Sequence, residues 1–257
     1  MSGNILLRKI SFLDYPGRIS TVLFFSGCNL RCPWCHNGDL VTGNAEGLSS
    51  TDFVSFEEAL AYITKRKTLI GGVVLSGGEP CLTRELPAYI KEIKRLKLPV
   101  KLDTNGMFPA VLEKLFSSEE TSPDYIALDL KAAPSRYAEL LPPANAGEEA
   151  DAGVFNAGEA LRQSAALIRG AGITHEYRTL ALPSFQRSAS FITEKDIEEL
   201  APLVDNSPWY FRLFRGGNCL DPSWNSLEET QNQAGSRAKA LADKALELGK
   251  NGVYIQE

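Results

Sequence analysis

Six short apolar runs, rich in β-branched and aromatic residues and separated by amphipathic stretches, constrain this chain most. The runs lie at 21–25, 72–75, 100–103, 125–131, 174–182 and 209–214, and helical periodicity at about 55–67, 84–97, 109–117, 156–170, 194–204 and 235–249. Strands that alternate with helices need crossovers, which are right-handed and make the strands parallel. The pattern predicts an α/β fold, a partial (open) parallel β/α barrel of about six strands, as a single domain over 1–257. Two stretches read as loops. Residues 38–51 form one; 142–158, small, acidic and glycine-rich, form the other and are expected to be a mobile insertion or lid. A helix and tail are expected after 216.

Side chains alternate across a strand, so "YIALDLK" can be sorted by face. Ile126, Leu128 and Leu130 share one face; Ala127, Asp129 and Lys131 share the other. The same sorting groups Lys101 with Asp103, Glu176 with Arg178, and Tyr210 with Arg212. A packed barrel interior is branched aliphatic. Opposite charges on several strands point instead to a cavity. The unusual segments agree, because each follows a strand: the cysteine segment, "SGGEP" (76–80), "TNG" (104–106) and Lys131. Barrel enzymes carry their sites at that rim. Taken alone, Asp129 and Lys131 would be a simple ion pair at a strand end.

"CNLRCPWCHN" (28–37) holds three of the five cysteines, Cys28, Cys32 and Cys35, spaced C-x3-C-x2-C. The last two with His36 match the haem pattern C-x-x-C-H, but haem attachment normally occurs outside the cytoplasm and no export signal is evident. C-P-W-C as a thioredoxin-like pair leaves Cys28 unexplained. Structural zinc needs four ligands, with His36 or Cys81 as the fourth; this alternative stays open. An iron–sulfur cluster fits better. Four-iron clusters usually take four thiolates, and three leave one iron open to a small molecule. An odd, crowded cysteine count suits a reducing, cytoplasmic compartment and metal or redox chemistry. A net charge of −5 argues against nucleic acid, and the absence of an apolar run of about 18 residues argues against a membrane span. Lys91, Lys94, Arg95, Lys97 and Lys101 read mostly as a solvated helix face.

The cysteine triplet, with an aromatic residue before its last member, resembles the signature of radical S-adenosylmethionine (SAM) enzymes, and "GGEP" (77–80) resembles their second motif. With "FLDYPGRISTVLFFSGCNLRCPWCHN", "LSGGEP", "LDTNG" and "ALDLK", residues 5–215 resemble the activating enzymes of glycyl radical enzymes. They look most like those of anaerobic ribonucleoside-triphosphate reductase, with those of pyruvate formate-lyase close behind. The resemblance implies a 4Fe–4S cluster on Cys28, Cys32 and Cys35, with SAM chelating the open iron. One electron would split SAM to methionine and a 5′-deoxyadenosyl radical, which takes a hydrogen from a glycine of a partner enzyme. No side chain would act as acid or base.

The same resemblance implies residue roles. Trp34 and His36 would border the adenine, or Trp34 would shield the cluster. Gly77 and Gly78 would let backbone approach SAM, with Glu79 positioning that turn or the SAM amino group. Asp103, Thr104 and Asp129 would form a polar cluster beside SAM and a monovalent cation. Lys131 would face the SAM carboxylate or ribose. Arg178 would meet SAM or the partner, or pair with Glu176 or Asp129. Asp14, in "LDYPG", matches a segment near the glycine loop of the partner, or starts a turn. Cys81 and Cys219 would be small buried hydrophobes. A glycyl radical enzyme and a flavodoxin or ferredoxin-type electron donor are the implied partners. Competing readings are a radical SAM enzyme of small molecules, such as a 7-carboxy-7-deazaguanine synthase, and a non-enzymatic zinc or electron-transfer protein. A small-molecule enzyme should close its barrel; an activase should leave a side open.

Overall fold

The computed structural model describes residues 5–42, 53–142, 156–183, 192–225 and 231–255. A hairpin of β1 (Ile5–Tyr15) and β2 (Arg18–Phe25) turns at Pro16 and Gly17. The cysteine loop follows, then α1 (Gly38–Thr42) and β3 (Phe53–Val54). From α2 (Phe56–Arg66) onward strand and helix alternate: β4 (Gly72–Gly77), α3 (Leu86–Arg95), β5 (Val100–Thr104), α4 (Pro109–Phe116), β6 (Tyr125–Asp129) and α5 (Ala157–Gly170). Next come β7 (Thr174–Ala181), α6 (Glu194–Leu200), β8 (Trp209–Leu213), α7 (Gln231–Glu247) and β9 (Gly252–Ile255). Local chemistry starts these helices. Ser55 and Glu58 cap α2 reciprocally, Pro109 opens α4 where its missing N–H costs nothing, and Thr193 caps α6.

The strands form one sheet in the order β3-β1-β2-β4-β5-β6-β7-β8-β9. All neighbours from β2 to β9 are parallel, while β1 pairs antiparallel with β2 and β3. The two end strands do not pair, so the sheet is an open β/α barrel. All six expected strands are present. The estimate of six strands is exceeded by three: β9, of four residues, β3, of two, and β1, whose Arg8, Lys9 and Asp14 hide its strand character.

Other boundaries moved for physical reasons. β6 stops at Asp129, leaving Leu130 and Lys131 beyond the strand. The helix expected over 194–204 tightens after Leu200 into a 3-10 turn, Ala201–Leu203, where Pro202 lacks an N–H to donate. Of the expected insertion, 156–158 belong to α5, whose cap Asn156 accepts from the Glu159 N–H at 3.0 Å. Residues 143–155 lie outside the described residues, as do 43–51 of the other expected loop.

The sheet has two unlike faces. Under the helices lie Leu23, Leu75, Leu102, Ile126, Leu128, Tyr177 and Trp209, all fully buried in the main core. The inner face is apolar only at β2 and β4, where Val22, Phe24 and Val74 pack with Tyr15 and Leu40. From β5 onward it carries charge. The register aligns Asp103 with Ala127 and Glu176, and Asp129 with Arg178 and Tyr210, so the sorting by alternation holds.

Candidate active site

A cavity of about 460 Å³ opens on this inner face at the C-terminal strand ends. Cys28, Cys32 and Cys35 line it, together with Trp34, His36, Gly77, Gly78, Glu79, Asp103, Thr104, Asp129, Lys131 and Arg178. The rim residues singled out in the sequence therefore meet in one place.

The thiols come first. Burial pushes the Cys32 thiol up to about 12, and the Cys28 thiol is likewise raised, chiefly by burial. Cys35 raises both further, and Cys28 adds to the rise at Cys32. Such thiols lose their protons only to a strongly positive partner such as iron. The Leu30 N–H points at the Cys28 sulfur at 3.4 Å, a donor suited to a thiolate. Among the described residues, no three His, Cys, Asp or Glu side chains converge as a single ion requires. Three cysteine sulfurs lining one cavity suit a cluster that keeps one iron open. The donor set fits a 4Fe–4S group.

Gly77 and Gly78 are glycines for a reason the sequence did not reveal. Gly77 has φ +114, and a Cβ there would lie 2.4 Å from the Phe25 nitrogen. At Gly78 it would lie 1.9 Å from the Gly27 carbonyl oxygen. The turn after β4 thus sits directly on the root of the cysteine loop. Gly78 N–H donates to Phe25 O and Glu79 N–H to Gly27 O, both at 2.9 Å, and Asn37 donates from Nδ2 to Gly77 O at 3.1 Å.

Glu79 is 1% exposed. Its Oε1 accepts from Cys81 N–H at 3.0 Å and from the Thr104 hydroxyl at 2.9 Å, and its Oε2 from Asn105 N–H at 2.7 Å. It therefore ties the β4 turn to the tip of β5. Thr104 is placed differently from expectation. Alternation turns it away from Asp103, and it serves Glu79 and the buried Cys81 thiol rather than an Asp103–Asp129 cluster.

Across the inner face run alternating charges. Lys101, fully buried, pairs with Asp103; Arg178 bonds Glu176 at 2.5 Å and approaches Asp103 at 3.4 Å; Lys131 pairs with Asp129 at 3.0 Å. Burial opposes the charge on Asp103, but Arg178 and Lys101 outweigh it and hold the carboxyl down at about 2. Arg178 thus pairs with Glu176, as one reading expected, and its second ion pair is with Asp103 rather than Asp129. Tyr137 fixes the Lys131 segment, accepting from Lys131 N–H at 2.9 Å and donating to Asp129 O at 3.1 Å.

One cation lacks such a partner. Arg212, on the inner face of β8, lines the cavity with a buried Nε that meets no acceptor among the described residues. Its placement beside Tyr210 was legible from alternation; its lack of a partner was not.

The segment after β8 closes over the cysteine loop from outside. Leu220 N–H donates to Cys35 O and Asp221 N–H to Pro33 O, both at 2.9 Å. His36 Nε2 meets Arg215 O at 2.7 Å, and Trp34 packs on Trp224 with ring centroids 5.4 Å apart. Trp34 is buried in the core cluster, as a shield would be. Cys219 is also buried, near Cys35.

Comparisons with known proteins agree with this geometry. Over 251 residues the chain is 27% identical to a protein of Methanocaldococcus jannaschii provisionally named a glycyl-radical enzyme activating enzyme, covering 95% of each. It is 34% identical to the pyruvate formate-lyase-activating enzyme of Clostridium pasteurianum over 130 residues, 49% of this chain and 50% of that one. The crystal structure of Streptococcus suis SuiB bound to precursor peptide SuiA shares the fold, with a TM-score of 0.60 at 14% identity, over 91% of this chain but only 47% of that one. No helix among the described residues is long and apolar enough to cross a membrane. The model of the radical SAM superfamily matches residues 22–181, most of the parallel sheet and every rim segment. The chain belongs to the radical SAM superfamily, which implies a 4Fe–4S cluster and SAM as its cofactors.

Proposed function

We propose that the chain is an activase that installs a glycyl radical on a partner enzyme, with anaerobic ribonucleoside-triphosphate reductase as the partner. The observation that carries the activase reading is the open sheet, whose end strands β3 and β9 do not pair with each other, as a site that admits a protein loop requires. The similarity over 95% of both chains to a provisionally named activating enzyme supports it. The cluster, when bound, supplies one electron to the sulfonium of SAM, releasing methionine and a 5′-deoxyadenosyl radical that takes hydrogen from the glycine.

The chain's own residues hold and orient. Cys28, Cys32 and Cys35 would hold the cluster. The β4 turn, braced by Glu79, presents backbone to the amino group of SAM. Lys131 and Arg212 offer positive charge to its carboxylate, since the buried Nε of Arg212 is a donor that meets no acceptor among the described residues and is costly until a ligand supplies one. Trp34 and His36 wall the cavity beside the cluster loop. Asp103 and Asp129 would flank a monovalent cation, with Lys101, Arg178 and Lys131 already meeting much of their charge. A flavodoxin or ferredoxin would deliver the electron.

The test is anaerobic reconstitution with iron and sulfide, then reductant and SAM, with each candidate glycyl radical enzyme separately. A glycyl radical signal in electron paramagnetic resonance on the ribonucleotide reductase is the expected result. A signal only on pyruvate formate-lyase would change the partner. SAM cleavage with a radical on neither would favour a small-molecule enzyme, a reading supported by 35% identity over 97 residues to the 7-carboxy-7-deazaguanine synthase of Hyperthermus butylicus.

A further inference from the structure

The "TNG" segment after β5 has a use beyond its turn. Asn105 is 3% exposed and fully engaged. Its Oδ1 accepts from Met107 N–H at 3.0 Å, which fixes the orientation of the amide. Nδ2 must therefore face the other way, where it donates to Asn29 Oδ1 at 2.9 Å and points at the Cys28 sulfur at 3.8 Å. The backbone N–H of Asn105 is held by Glu79 at 2.7 Å, so the residue is anchored at both ends. With Leu30 N–H at 3.4 Å, the Cys28 sulfur faces two N–H groups from different loops.

We infer that Asn105 is a positioning residue that raises the reduction potential of the cluster through the sulfur of Cys28. A thiolate that accepts N–H groups carries less of its charge onto iron. Adding an electron makes the cluster more negative and strengthens those bonds, so the reduced form gains more than the oxidised form. The amide thereby couples the β5 loop, itself latched to the SAM-facing turn by Glu79, to the ease with which the cluster accepts its electron. This rests on the superfamily's cofactor and not on the identity of the partner enzyme.

The test compares unaltered enzyme, Asn105→Ala and Asn29→Ala, each reconstituted anaerobically and assayed for iron and sulfide before a redox titration followed by electron paramagnetic resonance. Asn105→Ala should hold the normal iron content with a more negative midpoint potential. Asn29→Ala, which frees the amide for the sulfur, should match the unaltered enzyme or lie above it. A normal cluster with unmoved potential in Asn105→Ala overturns the inference, as does an equal fall in both variants, which would trace the effect to loop packing. If Asn105→Ala cannot hold iron, the unaltered enzyme decides: 15N-labelled asparagine should show a coupling to the reduced cluster in pulsed resonance, and its absence overturns the inference. Failure of the unaltered enzyme to take up any cluster would sink the cofactor assignment and this inference together, a result distinct from the others.

Discussion

Arg212 is the residue whose physics asks most plainly for a ligand. Its neighbours on the inner face are balanced, Lys101 and Arg178 by Asp103 and Glu176, and Lys131 by Asp129. Its own Nε is buried without an acceptor. Replacing it by leucine removes a buried donor that meets no acceptor among the described residues, so Arg212→Leu should leave the thermal stability of the cofactor-free protein unchanged or raise it. SAM binding should weaken at the same time by tenfold or more, about 1.4 kcal/mol. Calorimetry of both variants checks it; equal SAM affinity would remove Arg212 from the site. At this scale the sequence marks identities better than partners. Cysteine spacing and "GGEP" were legible, because thiolate ligation and a tight turn each demand particular residue types. The partner of Glu79 was not, although alternation along β5 already separates Thr104 from Asp103. That rule, applied one residue further, would have found it.

Among the elements, the parallel strands were legible because burial on both faces compresses them into short apolar runs, as at Val73 to Leu75 and Ile126 to Leu128. β1 was not, since it lies at the sheet's rim with Arg8, Lys9 and Ile10 exposed and breaks register twice along β2. Nor was the segment after β8, whose partners are distant in sequence. That segment holds the cysteine loop by two backbone hydrogen bonds and by Trp224, which packs on both Trp34 and Phe214. Trp224→Ala should cost about 3–5 kcal/mol, as large aromatic deletions in a core do. A purely structural residue would stop there. Loss of a shield should also speed the bleaching of the cluster by air under conditions where the variant is still folded. Chemical unfolding and the decay of cluster absorbance measure the two effects separately; unchanged bleaching would leave Trp224 a packing residue only.

For the whole molecule, the open side of the sheet decides what can enter. β3 covers only Ile5 and Leu6 of β1, so among the described residues no strand pairs with the outer edge of the rest of β1. That edge and its hairpin partner expose Ile10, Phe12, Leu13 and Ile19, with Phe12 72% and Leu13 79% accessible. Large apolar side chains grouped on a strand edge are a liability that proteins usually blunt with charge or proline. Here Arg8 pairs with Asp14 beside them, leaving the apolar group uncovered. If a partner enzyme docks on this apolar hairpin, which lies at the N-terminal end of β2 and away from the cavity rim, its contact is separate from the chemistry. The double variant Phe12→Ser with Leu13→Ser should then separate two activities that share one cluster. SAM cleavage driven by reductant alone should match the unaltered enzyme, because neither residue lines the cavity. Glycyl radical yield on the partner should fall, and raising the partner concentration should restore it, as expected when docking rather than chemistry is weakened. Loss of both activities together would place the hairpin in the fold, and full radical yield at low partner concentration would move the docking surface elsewhere.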